Sequence, residues 1–249
     1  MLDLISFSPI LILTLTLSIL QTIAGIGILV LGTPILLLLD LRMIEIMTIL
    51  LPLSILNSLI NIFYLKNRFS KISIDLKIKI YFFFIWFPGI FLGLFALKFF
   101  SNYINFNLLV SLTIWFFLAA SYINLKKKIK ISDLLKKNFI FIIGIIHGVT
   151  NSGGSLLSML IVDTYKENLI NIRYKIIFFY FFLALFQYLS ILLIFDLNPF
   201  TGLKFSFILC LIIGIIIGNI LSKKINLSQL RNVILGLAFI SSIFLISQS

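Results

Sequence analysis

The sequence predicts an all-α polytopic membrane protein of two inverted repeats, each a Gly-broken (re-entrant or kinked) segment followed by three transmembrane helices. Three observations predict it: a membrane-like composition, eight apolar segments, and glycine motifs that recur half a chain apart. The 249 residues are 61% hydrophobic and only 11% charged, with mean hydropathy +1.21. A soluble domain carries about 45–50% apolar and about 25% charged residues. It must also clothe itself in polar surface, which this composition does not supply.

Split at its charges, the chain gives apolar segments 4–39, 43–65, 80–100, 104–125, 138–162, 174–195, 200–222 and 230–247. A spanning helix needs roughly 20 apolar residues, and six of these segments suit one crossing each. Segment 4–39 as a single helix would be about 54 Å long against a hydrocarbon core of about 30 Å. It is interrupted by Gly25-Ile26-Gly27 and again by Gly32-Thr33-Pro34. Segment 138–162 carries Thr150-Asn151-Ser152-Gly153-Gly154-Ser155 in its middle, a run of poor helix formers. These two segments are expected to be broken or hairpin elements.

Each half then follows one plan. Residues 1–125 form the first repeat, 126–137 a basic cytoplasmic linker, and 138–249 the second repeat. Gly25-Ile26-Gly27 precedes Ser152-Gly153-Gly154 by about 126 positions, and Gly89 and Gly93 precede Gly214 and Gly218 by 125. Small-xxx-small pairs are common where membrane helices approach closely, so Gly89, Gly93, Gly214 and Gly218 are expected to pack helices. Their shared offset is what points to a repeat.

Loop charge separates two topologies. The net charge of +12 is scattered over short loops, so it reads as the bias that retains loops in the cytoplasm. With eight plain crossings, Lys and Arg divide twelve to eight between the two sides. If segments one and five each enter and leave on the same side, they divide seventeen to three, with only Arg42, Lys98 and Lys204 opposite. The second arrangement inverts the halves and puts both termini outside; eight crossings, with parallel halves, are the alternative. Asp3 in place of a basic leading region makes the N-terminus read as retained rather than as a secretory signal.

Interrupted helices in inverted repeats are a transporter plan, with the substrate held near the midplane where the breaks meet. A break frees backbone N–H and C=O groups that cost several kcal/mol each unless protein, water or substrate meets them. A half-helix starting at the break turns its N–H groups and positive dipole end to the gap, which favours an anion. The candidate binding residues are Gln21, Thr22, Gly25, Gly27, Thr33 and Pro34 at the first break. At the second they are His147, Thr150, Asn151, Ser152, Gly153, Gly154 and Ser155. His147 has three readings: a neutral packing residue, a substrate contact or a proton carrier. Thr150, Asn151 and Ser152 either contact substrate or satisfy the kink. Gln21, Asn57, Asn61 and Gln187 suit interhelical hydrogen bonds. One cysteine, Cys210, and one histidine leave little scope for a metal site, and neither cofactor nor nucleic acid is expected as a partner.

The Gly-broken first and fifth segments, the two glycine pairs and the closing stretch from Gly214 through Ser222-Lys223-Lys224 to Phe239 resemble the TauE/SafE sulfite exporter family (the TSUP permeases) over about 10–245. The resemblance implies a multi-pass permease of the cell (inner or plasma) membrane for small anions such as sulfite, organosulfonates or related carboxylates. Anion export can follow the inside-negative potential, whereas import requires proton coupling. Two other classes compete: a membrane-embedded enzyme such as a lipid phosphatase, and a non-transporting assembly subunit. Enzyme chemistry needs carboxylates or a nucleophile set facing a cavity. All eight acidic residues fall at segment ends or in loops, so the chain is not expected to be an enzyme.

Overall fold

A computed structural model describes residues 4–68, 74, 76–127, 133–164, 169–197, 204–224 and 226–247. Among them the structure is entirely helical: α1 (Leu4–Ala24), α2 (Ile28–Leu37), α3 (Met43–Arg68), α4 (Leu76–Phe100), α5 (Phe106–Lys127), α6 (Asp133–Thr150), α7 (Gly154–Thr164), α8 (Leu169–Phe195), α9 (Phe205–Leu221) and α10 (Leu227–Ser247). By length and composition, Met43–Arg68, Phe82–Phe100 and Ile170–Phe195 suffice to cross a membrane.

Segments 4–39 and 138–162 are indeed each two helices. The first breaks at Gly25, whose φ of +80° suits glycine, and the second at Asn151, with φ of +60°. Asn is among the few non-glycine residues that enter this region readily. The helices end alike, Gly25 N–H donating to the Gln21 carbonyl and Asn151 N–H to that of His147, both at 2.8 Å. After the first break the chain folds back. A Cβ on Gly27 would lie 2.8 Å from the Gln21 nitrogen, and one on Gly32 would lie 3.0 Å from a Leu17 methyl. Further along, Leu36 of α2 and Ile10 of α1 line one small apolar gap. The second break starts the same way: a Cβ on Gly153 would meet the His147 Cβ at 2.6 Å and the Ile143 carbonyl at 2.9 Å.

Two expectations are corrected. Gly32-Thr33-Pro34 does not interrupt the chain, since all three residues are buried inside α2. A proline in a helix forfeits one N–H bond, and α2 continues to Leu37. Arg173 and Lys175, read as loop residues, lie on α8, with Lys175 buried. Charges mark where the hydrocarbon zone ends, and helices continue past that limit into the interface; for the same reason Lys66 and Arg68 belong to α3. Residues 128–132 of the linker 126–137 lie outside the described residues, and the rest of it belongs to α5 and α6.

The glycine pairs sit where helices touch backbone to backbone. α4 lies on α6: a Cβ on Gly89 would come within 2.6 Å of the Phe141 carbonyl, and one on Gly144 within 2.9 Å of the Trp86 carbonyl. α9 lies on α1, where a Cβ on Gly214 would come within 2.8 Å of the Leu15 carbonyl and one on Gly218 within 2.7 Å of the Thr22 Cβ. Only bare backbone fits at such separations. α3 packs on α8, and α5 packs on α10. Gly93→Leu should therefore destabilise the protein by about 1–3 kcal/mol. Gly236→Ala, where nothing lies within 4 Å of the added carbon, should change stability by about 1 kcal/mol or less. Thermal unfolding of the purified protein in detergent compares the two, and equal effects would contradict this packing.

Candidate functional site

The two breaks meet. Asn151 Nδ2 donates to Thr33 Oγ1 at 3.0 Å, so the end of α6 is tied to the middle of α2 across 118 residues of sequence. Tyr180, near the centre of α8, touches both half-helices. Its hydroxyl accepts the N–H of Leu29, in the first turn of α2, at 3.2 Å. Its ring covers the α-carbon of Gly154, the first residue of α7, where a Cβ would collide with Cε2. Tyr180 thus fills the space between two helix N-termini, its oxygen standing where an anion oxygen would accept the same N–H.

Around the first break, polar side chains of α1 and α3 bind one another in two clusters. Gln21 Nε2 donates to the Ser54 carbonyl at 3.2 Å and to Ser58 Oγ at 3.0 Å, while its Oε1 accepts the Ile28 N–H at 3.1 Å. Asn57 donates to Ser18 Oγ at 2.8 Å, and Asn61 donates to Thr22 Oγ1 at 3.1 Å. Gly25 is pressed against Ile176 and Ile177 of α8, and Pro34 is buried in α2 beside Thr33. The amide of Gln21 meets one N–H freed at the start of α2, the satisfaction that a break in apolar surroundings demands.

At the second break the hydroxyls turn back on the chain. Thr150 donates to the Ile146 carbonyl at 2.7 Å, Ser152 to that of Thr150 at 3.1 Å, and Ser155 to that of Ser152 at 3.0 Å. These three side chains satisfy the kink, and Thr150 Oγ1 also accepts the Ser152 N–H at 3.2 Å. His147 differs. It is fully buried, and neither ring nitrogen finds a partner among the described residues. Asn151 Oδ1 is buried and unpartnered in the same sense. Gln187 of α8 donates to the His147 carbonyl at 2.9 Å. Buried polar atoms are normally bonded, and these, with Gln187 Oε1, find no partner among the described residues.

The structure therefore gathers Thr33, His147, Asn151, Gly153 and Gly154 into one locus and leaves Gln21 and Thr22 within the adjoining network. Residues that the sequence reading missed are Tyr180, hidden in the aromatic run Phe178 to Phe182, and Ser54 and Ser58, each a lone hydroxyl in an apolar helix. Arg173 escaped for another reason, as its charge placed it in a loop. A serine pair spaced by four beside Asn57 and Asn61, all on α3, is the signal that could have been read.

The family model of the sulfite exporter TauE/SafE matches residues 10–245, and the chain belongs to that family. It is accordingly a multi-pass membrane protein of a transporter family. No curated protein and no solved structure matches the chain. Tyr180→Phe should remove the acceptor of the Leu29 N–H and cost about 1–3 kcal/mol. Amide hydrogen exchange over Ile28 to Leu31 should speed up relative to Leu36 and Leu37, and unchanged exchange would show that the hydroxyl does not hold α2.

Proposed function

We propose that this chain is a secondary permease for sulfite, an organosulfonate or a related small anion, working by alternating access between two inverted repeats, 1–125 and 138–249. One observation carries the reading: two broken helices meet with both new N-termini and an unpartnered histidine at one buried locus. Two dipole ends there favour an anion, and Tyr180 occupies the gap between them. In this reading the described conformation is the occluded one, and substrate displaces the tyrosine hydroxyl from the Leu29 N–H. Substrate contacts come from the backbone at Gly27 to Leu29 and at Gly153 to Ser155, together with Thr33, Asn151 and His147. A neutral imidazole offers one donor and one acceptor, which matches hydrogen sulfite, an anion with both a hydroxyl and bare oxygens.

The repeat is supported by contacts that recur at the sequence offset. Gly27 lies on Leu17 and Gln21 as Gly153 lies on Ile143 and His147. Gly89 faces the Phe141 carbonyl as Gly214 faces the Leu15 carbonyl. α4 on α6 answers α9 on α1, while α3 with α8 and α5 with α10 pair each helix with its counterpart. With the seventeen-to-three charge split, the hairpins enter from opposite sides of the inner membrane, both termini outside and the 126–137 linker in the cytoplasm. The two halves then rock about the locus between the breaks, and proton coupling, where transport runs inward, falls to His147.

Purified protein in liposomes should move labelled sulfite, and Asn151→Leu or Gly153→Leu should lower the flux at least about a hundredfold by filling the site with hydrocarbon. Full flux in both variants, each with a native melting temperature, would sink this site.

A further inference from the structure

A second polar locus lies away from the meeting of the breaks, and it holds a half-buried cation. Arg173 stands in the second turn of α8 and is only partly exposed. Its Nη2 donates to the Thr22 carbonyl in the last turn of α1, and approaches Asn219 Oδ1 of α9 at 3.5 Å. Asn219 Nδ2 in turn lies 3.5 Å from Asn61 Oδ1, and Asn61 donates to Thr22 Oγ1. Four helices thus contribute one cluster of Arg173, Asn219, Asn61 and Thr22.

Two readings of this arginine compete. In the first it caps α1, whose last carbonyls lack intrahelical partners and carry the negative end of the helix dipole. A cap accounts for Nη2 alone. Arg173 Nε is buried and has no partner among the described residues, and the ion pair formed among them, Arg42 with Glu45, is elsewhere. A guanidinium within a membrane bundle is costly, and such groups mark ion and substrate pathways. Its planar fork of donors matches the oxygens of a small oxyanion. Asn219 and Asn61 add amide groups that can rotate to donate.

We propose that Arg173, Asn219 and Asn61 form an anion-binding site in series with the one between the breaks, reached from the membrane face at which α8 begins. An anion entering there is held by the guanidinium Nε–H and by asparagine amides, and passes Thr22 and Gln21, neighbours near the end of α1, to the start of α2. The cluster is one-sided. The positions 126 residues away from Arg173 and Asn61 are Met47 and Gln187, so the other face has no matching cation. This proposal rests on the permease reading and adds to it a second ligand site and a preferred entry face. By the charge bias of the loops that face is the cytoplasmic one, which suits export.

The test is initial sulfite flux against concentration, measured from each face of oriented proteoliposomes, for wild type, Arg173→Gln, Arg173→Lys and Asn219→Ala. Arg173→Gln should raise KM about tenfold or more at the face where α8 begins, leaving KM at the opposite face and kcat within about threefold; Arg173→Lys should recover part of the loss. An equal change at both faces, or none, would overturn the proposal and leave Arg173 a cap of α1. If Arg173→Gln does not fold, Asn219→Ala must show a smaller rise confined to the same face, and its absence overturns the proposal as well. Wild-type protein that moves no sulfite would instead sink the permease reading. The thermal shift induced by sulfite in detergent then decides this site alone: lost in Arg173→Gln or Asn219→Ala it supports the site, and kept in the folded variant it refutes it.

Discussion

Two helices broken inside an apolar medium impose the constraint from which the rest of the structure follows. Each break strands backbone donors and acceptors where water cannot reach them, and each is answered by a different device. At the first, Gln21 folds its amide over the gap, accepting from Ile28 and donating to α3, while Tyr180 accepts from Leu29. At the second, Thr150, Ser152 and Ser155 return their hydroxyl protons to nearby carbonyls. Among the described residues, the buried side-chain atoms left without a partner include both ring nitrogens of His147, one oxygen each of Asn151 and Gln187, and, at the other cluster, Arg173 Nε.

Such breaks need rigid neighbours, and the glycine pairs provide them. α4 and α6 approach through Gly89, Gly93, Gly144 and Gly148, and α9 rests on α1 through Gly214 and Gly218 against Ser18 and Thr22. In both cases the clamped helix is the one that runs into a break. Hydrophobic association does not drive helices together in lipid, so close backbone approach and interhelical hydrogen bonds must do so. The clamp of α1 also sets Ser18 and Thr22 against α9, from which Asn219 reaches toward Asn61 and Arg173.

Composition and glycine spacing carried the architecture a long way. A break leaves a local mark in the sequence, because only glycine or a short polar residue tolerates the required φ, and Gly25 and Asn151 fall where expected. A helix that packs on itself leaves none, which is why Gly32-Thr33-Pro34 read as an interruption and is not one. Tyr180 was illegible because its role depends on which helix crosses between the breaks, a fact of tertiary packing. Arg173 misled in the opposite direction: a charge reads as solvated unless the fold brings it a carbonyl and an asparagine from helices 151 and 46 residues distant.

The central claim is that each broken segment enters and leaves the membrane on one side, with the two segments on opposite sides. A membrane-impermeant maleimide tests it on single cysteines at positions 2, 39, 130 and 166 in a Cys210→Ser background. Leu2→Cys and Leu39→Cys, which flank the first hairpin, should both label in intact cells. Lys130→Cys and Lys166→Cys, which flank the second, should label only after permeabilisation. Opposite labelling of the two ends of either segment would make it a plain crossing and contradict the account.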